Sequence, residues 1–255
     1  MSPRKNPITP FLALAVALAT SSCSHLVNRE KDMEKARIHL QRGVDAFNER
    51  QYNQAIDSTQ EALKYDPNLA GAYNHLALIY METKRYQKSE EAFTKALELQ
   101  AEYPEVHNNI GVLLNRQEKY GDAIPHFEKA LKSDRYGTPE NAYTNMGYSY
   151  FKLGNTARAK AYHQKALDVS PLFCLASKNM GDVYTKEKHF QKAVDYFQKA
   201  ITHCPLFQEA HYKLGLVMMK MGRKDLAKNQ LERLVERHKS GPYVERSQEV
   251  LKYLH

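Results

Sequence analysis

The sequence predicts an all-α protein, a right-handed solenoid of six helix-turn-helix repeats with a short capping helix at its carboxyl end. Three observations lead there. Small residues recur at a step of 34, lengthened once to 36, as Gly43, Ala77, Gly111, Gly147, Gly181 and Gly215. Twelve residues after each stands another small residue (Ala55, Ser89, Ala123, Ala159, Ala193, Ala227), and seven further on a third (Ala62, Ala96, Ala130, Ala166, Ala200), until Leu234 breaks the set. Pro67, Pro171 and Pro205 then close three of the units. A fixed period of this length marks stacked supersecondary units, none of which closes a core alone.

The elements follow in chain order. Residues 1–22 read as an export leader: Arg4 and Lys5 supply the positive start, Phe11 to Ala19 are unbroken apolar, and small residues run up to Cys23. That apolar run is too short for a bilayer, which takes about 20 residues. The small residues ending on Cys23 resemble a bacterial lipobox, in which the cysteine is lipidated, and Thr20 departs from that pattern. Ordinary leader cleavage with a free Cys23 is the alternative. Residues 23–33 would then be a lipidated cysteine and a short linker. Ser24 after the cysteine, where lipoproteins kept in the inner membrane carry Asp, implies an outer-membrane anchor facing the periplasm.

Residues 34–241 hold the repeats, at about 36–69, 70–103, 104–137, 140–173, 174–207 and 208–241. In each, the first small residue lies where the second helix crosses closely. The alanines seven apart share one face of that second helix. Aromatics at the inter-helix turn (Tyr52, Tyr86, Tyr120, Phe190) and on the second helix (Phe93, Phe127, Phe197) fill the remaining space. Proline ends the second helix, because it cannot continue the hydrogen-bond ladder. This layout resembles the tetratricopeptide repeat. Residues 242–255 read as the cap: Gly241 breaks the sixth unit, Pro242 suits a first helical turn, and Tyr243, Val250, Leu251 and Leu254 form one apolar face.

The formal net charge is +8, but Lys and Arg are interleaved with Glu and Asp, which describes solvated helix faces. No basic stripe with interleaved aromatics appears, so no nucleic-acid partner is expected. His39, His107 and His211 occupy one repeat position in three different units, where they substitute for a bulky packing residue. No metal site, cofactor or catalytic residue is expected: H-E-x-x-H, C-x-x-C, G-x-S-x-G and phosphate-binding glycine loops are all missing from the sequence.

Cys174 opens the first helix of repeat five and Cys204 follows its second, so an antiparallel pair brings both to one end. We expect a disulfide there, the alternative being two reduced, half-buried thiols. Partner binding is expected on the concave face lined by first helices, at Asn74, Leu78, Asn108, Val112, Asn115, Thr144, Tyr148, Lys152, Asp182, Thr185, Tyr212 and Leu216. Amide, phenol and ammonium groups there can hold a peptide backbone while the aliphatics grip side chains. The converging basic residues of a carboxylate clamp are not found.

The step lengthens between Ala130 and Gly147, at "RYGTPENAYTNMG". Gly137 should break one helix, Thr138 cap the next and Pro139 begin it, giving a joint two residues longer than the others. Such a joint should change how repeats one to three sit against four to six. The runs "EVHNNIGVLLNRQEKYGDAIPHFEKAL", "YGTPENAYTNMGYSYFKLGN", "SPLFCLASKNMGDVY" and "CPLFQEAHYKLG" resemble the type IV pilus biogenesis lipoproteins called PilF, PilW or Tgl. Arg42, at a usually apolar position, departs from them. The resemblance implies a pilotin, a non-enzymatic outer-membrane lipoprotein that binds the pilus secretin and promotes its localisation or multimerisation, and hence motility. The competing reading is a tetratricopeptide lipoprotein that scaffolds cell-wall enzymes. An enzyme would need convergent His, Asp, Ser or metal ligands, which the sequence does not supply.

Overall fold

The computed structural model describes the backbone of residues 10–254 and the side chains of residues 28–254. The leader and Cys23 therefore lie outside the residues whose side chains are described. Among the described residues there are thirteen helices and no strand. Repeat one pairs α1 (Pro10–Asn48) with α2 (Tyr52–Tyr65), and repeat two pairs α3 (Ala70–Glu82) with α4 (Tyr86–Leu99). Repeat three is α5 (Pro104–Arg116) with α6 (Tyr120–Leu131), and repeat four is α7 (Pro139–Lys152) with α8 (Thr156–Val169). Then come α9 (Cys174–Lys186) with α10 (Phe190–His203), α11 (Gln208–Lys220) with α12 (Lys224–Arg237), and the cap α13 (Pro242–Leu251). Among the described residues no helix is long and apolar enough to cross a membrane.

Every first helix ends in the same way. Arg50, Lys84, Glu118, Gly154, Lys188 and Gly222 adopt left-handed backbone angles, with φ between 59° and 83°. The next amide reaches back five residues, as in Lys119 N–H to Leu114 O at 2.9 Å and Asn155 N–H to Tyr150 O at 2.8 Å. This is the Schellman closure, which satisfies carbonyls that the helix end leaves bare. A side chain in that conformation costs about 1 kcal/mol relative to glycine. Gly154→Ala is therefore expected to lower stability by about 1 kcal/mol, read by urea unfolding, while Glu118→Gly leaves it unchanged or higher.

The close crossing within a repeat also has a direct measure. A Cβ added at Gly111 would lie 2.5 Å from the Phe127 ring, and one at Gly181 would lie 2.6 Å from Phe197. In repeat four the ring beneath the glycine is His163, 2.5 Å from a Cβ at Gly147. The alanines at the two repeat positions of the second helices, such as Ala123 and Ala130 or Ala193 and Ala200, are fully buried behind these contacts.

The chain divides into two compact units, Met1–Glu102 and Tyr103–His255. The lengthened joint lies inside the second unit, where α6 packs directly on α7. The preceding helix ends at Leu131, before Gly137, and Thr138 takes the N-cap position without a side-chain capping bond. Pro139 does begin α7. The longer joint instead lets Tyr136 turn back into the core, where it is buried among Ala123, Phe127, Ala130, Ala142, Met146 and Tyr150. Burial pushes its phenol pKa above the ordinary value. The cap packs on α12 and α11. Its buried residues are Val244 and Ser247, whereas Tyr243, Val250, Leu251 and Leu254 are only half-buried.

Candidate functional site

Within the second unit, α5 touches α7 and α7 touches α9, while the second helices make no comparable approach to one another. The first helices therefore form the inside of the curve, and their outward-facing residues line the candidate groove. In the first unit, Asn74 and Leu78 lie half-buried on α3.

Between repeats three and four the groove floor is a ladder of amides. Asn145 donates to Asn108 Oδ1 at 3.1 Å, and the Ser149 hydroxyl donates to Asn115 Oδ1 at 2.8 Å. Both bonds cross from α7 to α5, so they set the register of the two repeats. Beside them stands Tyr148, 38% exposed, with its ring 6.2 Å edge-on from Tyr120. The Lys152 ammonium lies 5.4 Å over the Tyr120 ring. Hydrogen bonding to Tyr120, then the neighbouring Tyr148, raises the Lys152 pKa. Burial raises that of Tyr148 despite Lys152. This half of the groove presents an exposed phenol and an exposed cation next to neutral amides, a surface suited to a peptide main chain and an acidic or aromatic side chain.

Between repeats five and six the chemistry changes to charge. Lys178, only 7% exposed, lies 3.1 Å from Glu209 and 3.5 Å from Asp182. Lys213 lies 2.7 Å from Asp182 and 3.1 Å from Glu209. Burial would raise the Glu209 pKa, but the charges of Lys178 and Lys213 and their hydrogen bonds hold it below the ordinary carboxylate value. Burial likewise works against charge on Lys213, and the Asp182 and Glu209 carboxylates outweigh it, leaving the pKa raised. The quartet pairs each cation with both anions across α9 and α11.

Several expected groove residues are placed differently. Thr144 is buried, 1% exposed, and does not face the groove. Val112 packs against the core cluster around Phe127. The Thr185 hydroxyl donates to Gly181 O of its own helix at 2.7 Å. Asp182 is closed within the ion quartet, Tyr212 packs on Tyr243 of the cap at 5.7 Å, and Leu216 is half-buried. That leaves Asn108, Asn115, Tyr148 and Lys152 together on one stretch. Sequence reasoning missed Asn145, Ser149, Lys178, Glu209 and Lys213. A signal was available for two of them: two residues before the glycines of repeats three to six stand Asn109, Asn145, Asn179 and Lys213.

Cys174 and Cys204 are joined as a disulfide, with Cα atoms 6.1 Å apart, at one end of repeat five. His39, His107 and His211 each meet the second helix of their own repeat, through Tyr65, His126 and Gln230 respectively. Among the described residues no group of three His, Cys, Asp or Glu is placed to hold a metal ion.

Comparison with known proteins agrees with this architecture. Family models described as tetratricopeptide repeat match residues 68–135, 102–171, 144–210 and 209–240. The type IV pilus assembly protein PilF of Pseudomonas aeruginosa is 27% identical over 158 residues, which are 60% of this chain and 63% of that protein, just under two thirds of its length. A crystal structure of PilW, titled a widely conserved type IV pilus biogenesis factor, superposes with a TM-score of 0.74 at 26% identity, covering 83% of this chain and 97% of that one. A solved Pseudomonas aeruginosa PilF structure has a TM-score of 0.70 at 20% identity, over 86% of this chain and 99% of that one, a likeness of fold. With family models matching from residue 68 to residue 240, and the helix pairs described above, the chain belongs to the tetratricopeptide-repeat family.

Proposed function

We propose that this protein is a non-enzymatic assembly factor of the type IV pilus machinery. In this reading Cys23 carries a lipid that anchors the chain to the outer membrane, facing the periplasm, and the first-helix groove holds a segment of the secretin subunit. The observation that carries the reading is the likeness to PilW over 97% of that chain, a biogenesis factor by its title. The groove supports it with a suitable surface: neutral amides at Asn108 and Asn115 beside exposed Tyr148 and Lys152. Amides bonded across repeats are preorganised, so little ordering entropy is lost when a peptide pairs with them.

The test is the state of the secretin in outer-membrane fractions from cells with and without this gene, run unboiled. Loss of the multimer with persistence of the monomer is the expected result. Cys23→Ala should then reduce the multimer without abolishing direct binding, and Tyr148→Ala with Lys152→Ala should weaken binding while the lipid anchor stays. An unchanged multimer in the deletion strain overturns the pilus reading and turns attention to cell-wall enzymes as cargo.

A further inference from the structure

On the second-helix side of the last repeats, away from the groove, a cleft of about 470 Å³ opens between α10, α11 and α12. Its origin is legible in the repeat. Fifteen residues after the repeat glycine stand Tyr162 in repeat four and Tyr196 in repeat five, but Gln230 in repeat six. Three residues beyond each comes a cation: Lys165, Lys199 and Arg233. In repeat four that cation rests on aromatic rings, with Lys165 5.1 Å over Tyr162 and 5.8 Å over Tyr143. In repeat six the aromatic platform is replaced by glutamine. Arg233 lines the cleft, together with Arg237, Glu236 and Gln198.

The floor beneath these groups is locked. Gln230 donates its amide to His211 Nδ1 at 2.8 Å, and His211 Nε2–H donates to Pro205 O at 3.0 Å, which assigns the neutral tautomer. Arg237 donates to the same Pro205 carbonyl at 3.2 Å, so its guanidinium is held while retaining free N–H groups. Neither arginine has a carboxylate within ion-pair distance among the described residues. Two guanidiniums and one carboxylate thus line one cleft. The cations match a phosphodiester and the carboxylate matches an ammonium.

We propose that this cleft binds the zwitterionic phosphoethanolamine headgroup of a phospholipid, with phosphate on Arg233 and Arg237 and the amine on Glu236. The site is independent of the groove and of the pilus reading, and would serve to orient the chain on a lipid surface.

The test is calorimetric titration of the full chain in detergent with glycerophosphoethanolamine, alongside inorganic phosphate and glycerophosphoglycerol. Glycerophosphoethanolamine is expected to bind more tightly than either other probe. Arg233→Gln should weaken it about tenfold, the scale of one lost charge-assisted bond. Glu236→Gln should weaken glycerophosphoethanolamine while leaving phosphate unchanged. Both positions are exposed, and far-UV circular dichroism verifies that the variants fold. Equal binding of inorganic phosphate, which would make this a free-phosphate site, overturns the headgroup assignment. So does binding insensitive to both substitutions, or no binding of any probe.

Discussion

Lys178→Met is expected to destabilise the second unit by about 2 kcal/mol, because it removes the buried cation of a half-buried quartet and leaves two carboxylates sharing one lysine. Methionine fills much of the same volume, so the loss reads the charge and not a cavity. Glu209 then loses the first of the charges that hold its carboxyl below the ordinary value, and its pKa should rise. The sign of the pH dependence follows. A carboxylate whose folded pKa is depressed stabilises above its unfolded value, and that contribution is lost as pH falls through the folded one. Wild-type stability should fall with pH across the carboxylate range, and Lys178→Met should flatten that part of the profile. Adding Glu209→Gln to Lys178→Met should recover part of the loss, and a double-mutant cycle by urea unfolding measures the coupling. A single-variant loss under about 1 kcal/mol would falsify a closed quartet.

His163→Phe should act in the opposite direction and raise stability. The ring of His163 is 1% exposed, and neither of its nitrogens has a hydrogen-bond partner among the described residues. Sixteen residues after the repeat glycine, three other units carry Phe93, Phe127 and Phe197 at the same position. Each of these is fully buried or nearly so. Phenylalanine therefore suits the site without stranded polar atoms, whose burial costs about 1–3 kcal/mol. The gain should grow in acid. Burial, helped by the charge of Lys178, lowers the His163 pKa from 6.5 to about 3. Between those values the unfolded chain takes up a proton that the folded chain refuses. Stability from this group is complete above about pH 6.5 and falls by up to about 1.4 kcal/mol per pH unit below it. At pH 4.5 the wild type should have lost roughly 3 kcal/mol that the phenylalanine variant keeps. Thermal unfolding of both proteins between pH 7 and 4.5 gives the comparison, and parallel curves would sink the argument.

The helix pairs were legible residue by residue. Gly111 and Gly181 have no room for a Cβ because Phe127 and Phe197 cross over them, and both partners are set by spacing along one repeat. The groove was legible only in part. Periodicity put Asn108, Asn115, Tyr148 and Lys152 on the first helices α5 and α7, where they share one stretch, but Thr144 has the same nominal position as Asn108 and is buried. Burial at that position differs between repeats, since Lys178 also holds it and is buried while Asn74 and Tyr212 are half-buried, so the packing around each helix decides it and no repeat average contains it. The same limit hid the ion quartet, since Lys178 and Glu209 lie on different repeats and meet only when α9 and α11 are stacked.

The sequence by itself determined the all-α class, the six-unit period, the close helix crossings and the pairing of Cys174 with Cys204 as an expectation. Each of these depends on contacts inside a single hairpin, where the 3.6-residue helical period and steric size suffice. Only the tertiary structure decided which polar groups are spent on one another and which are left for a ligand. Hydrogen bonds and ion pairs require atoms within about 3–4 Å. The small rotation from one repeat to the next moves side chains by as much, and that rotation belongs to the packing and not to any single position.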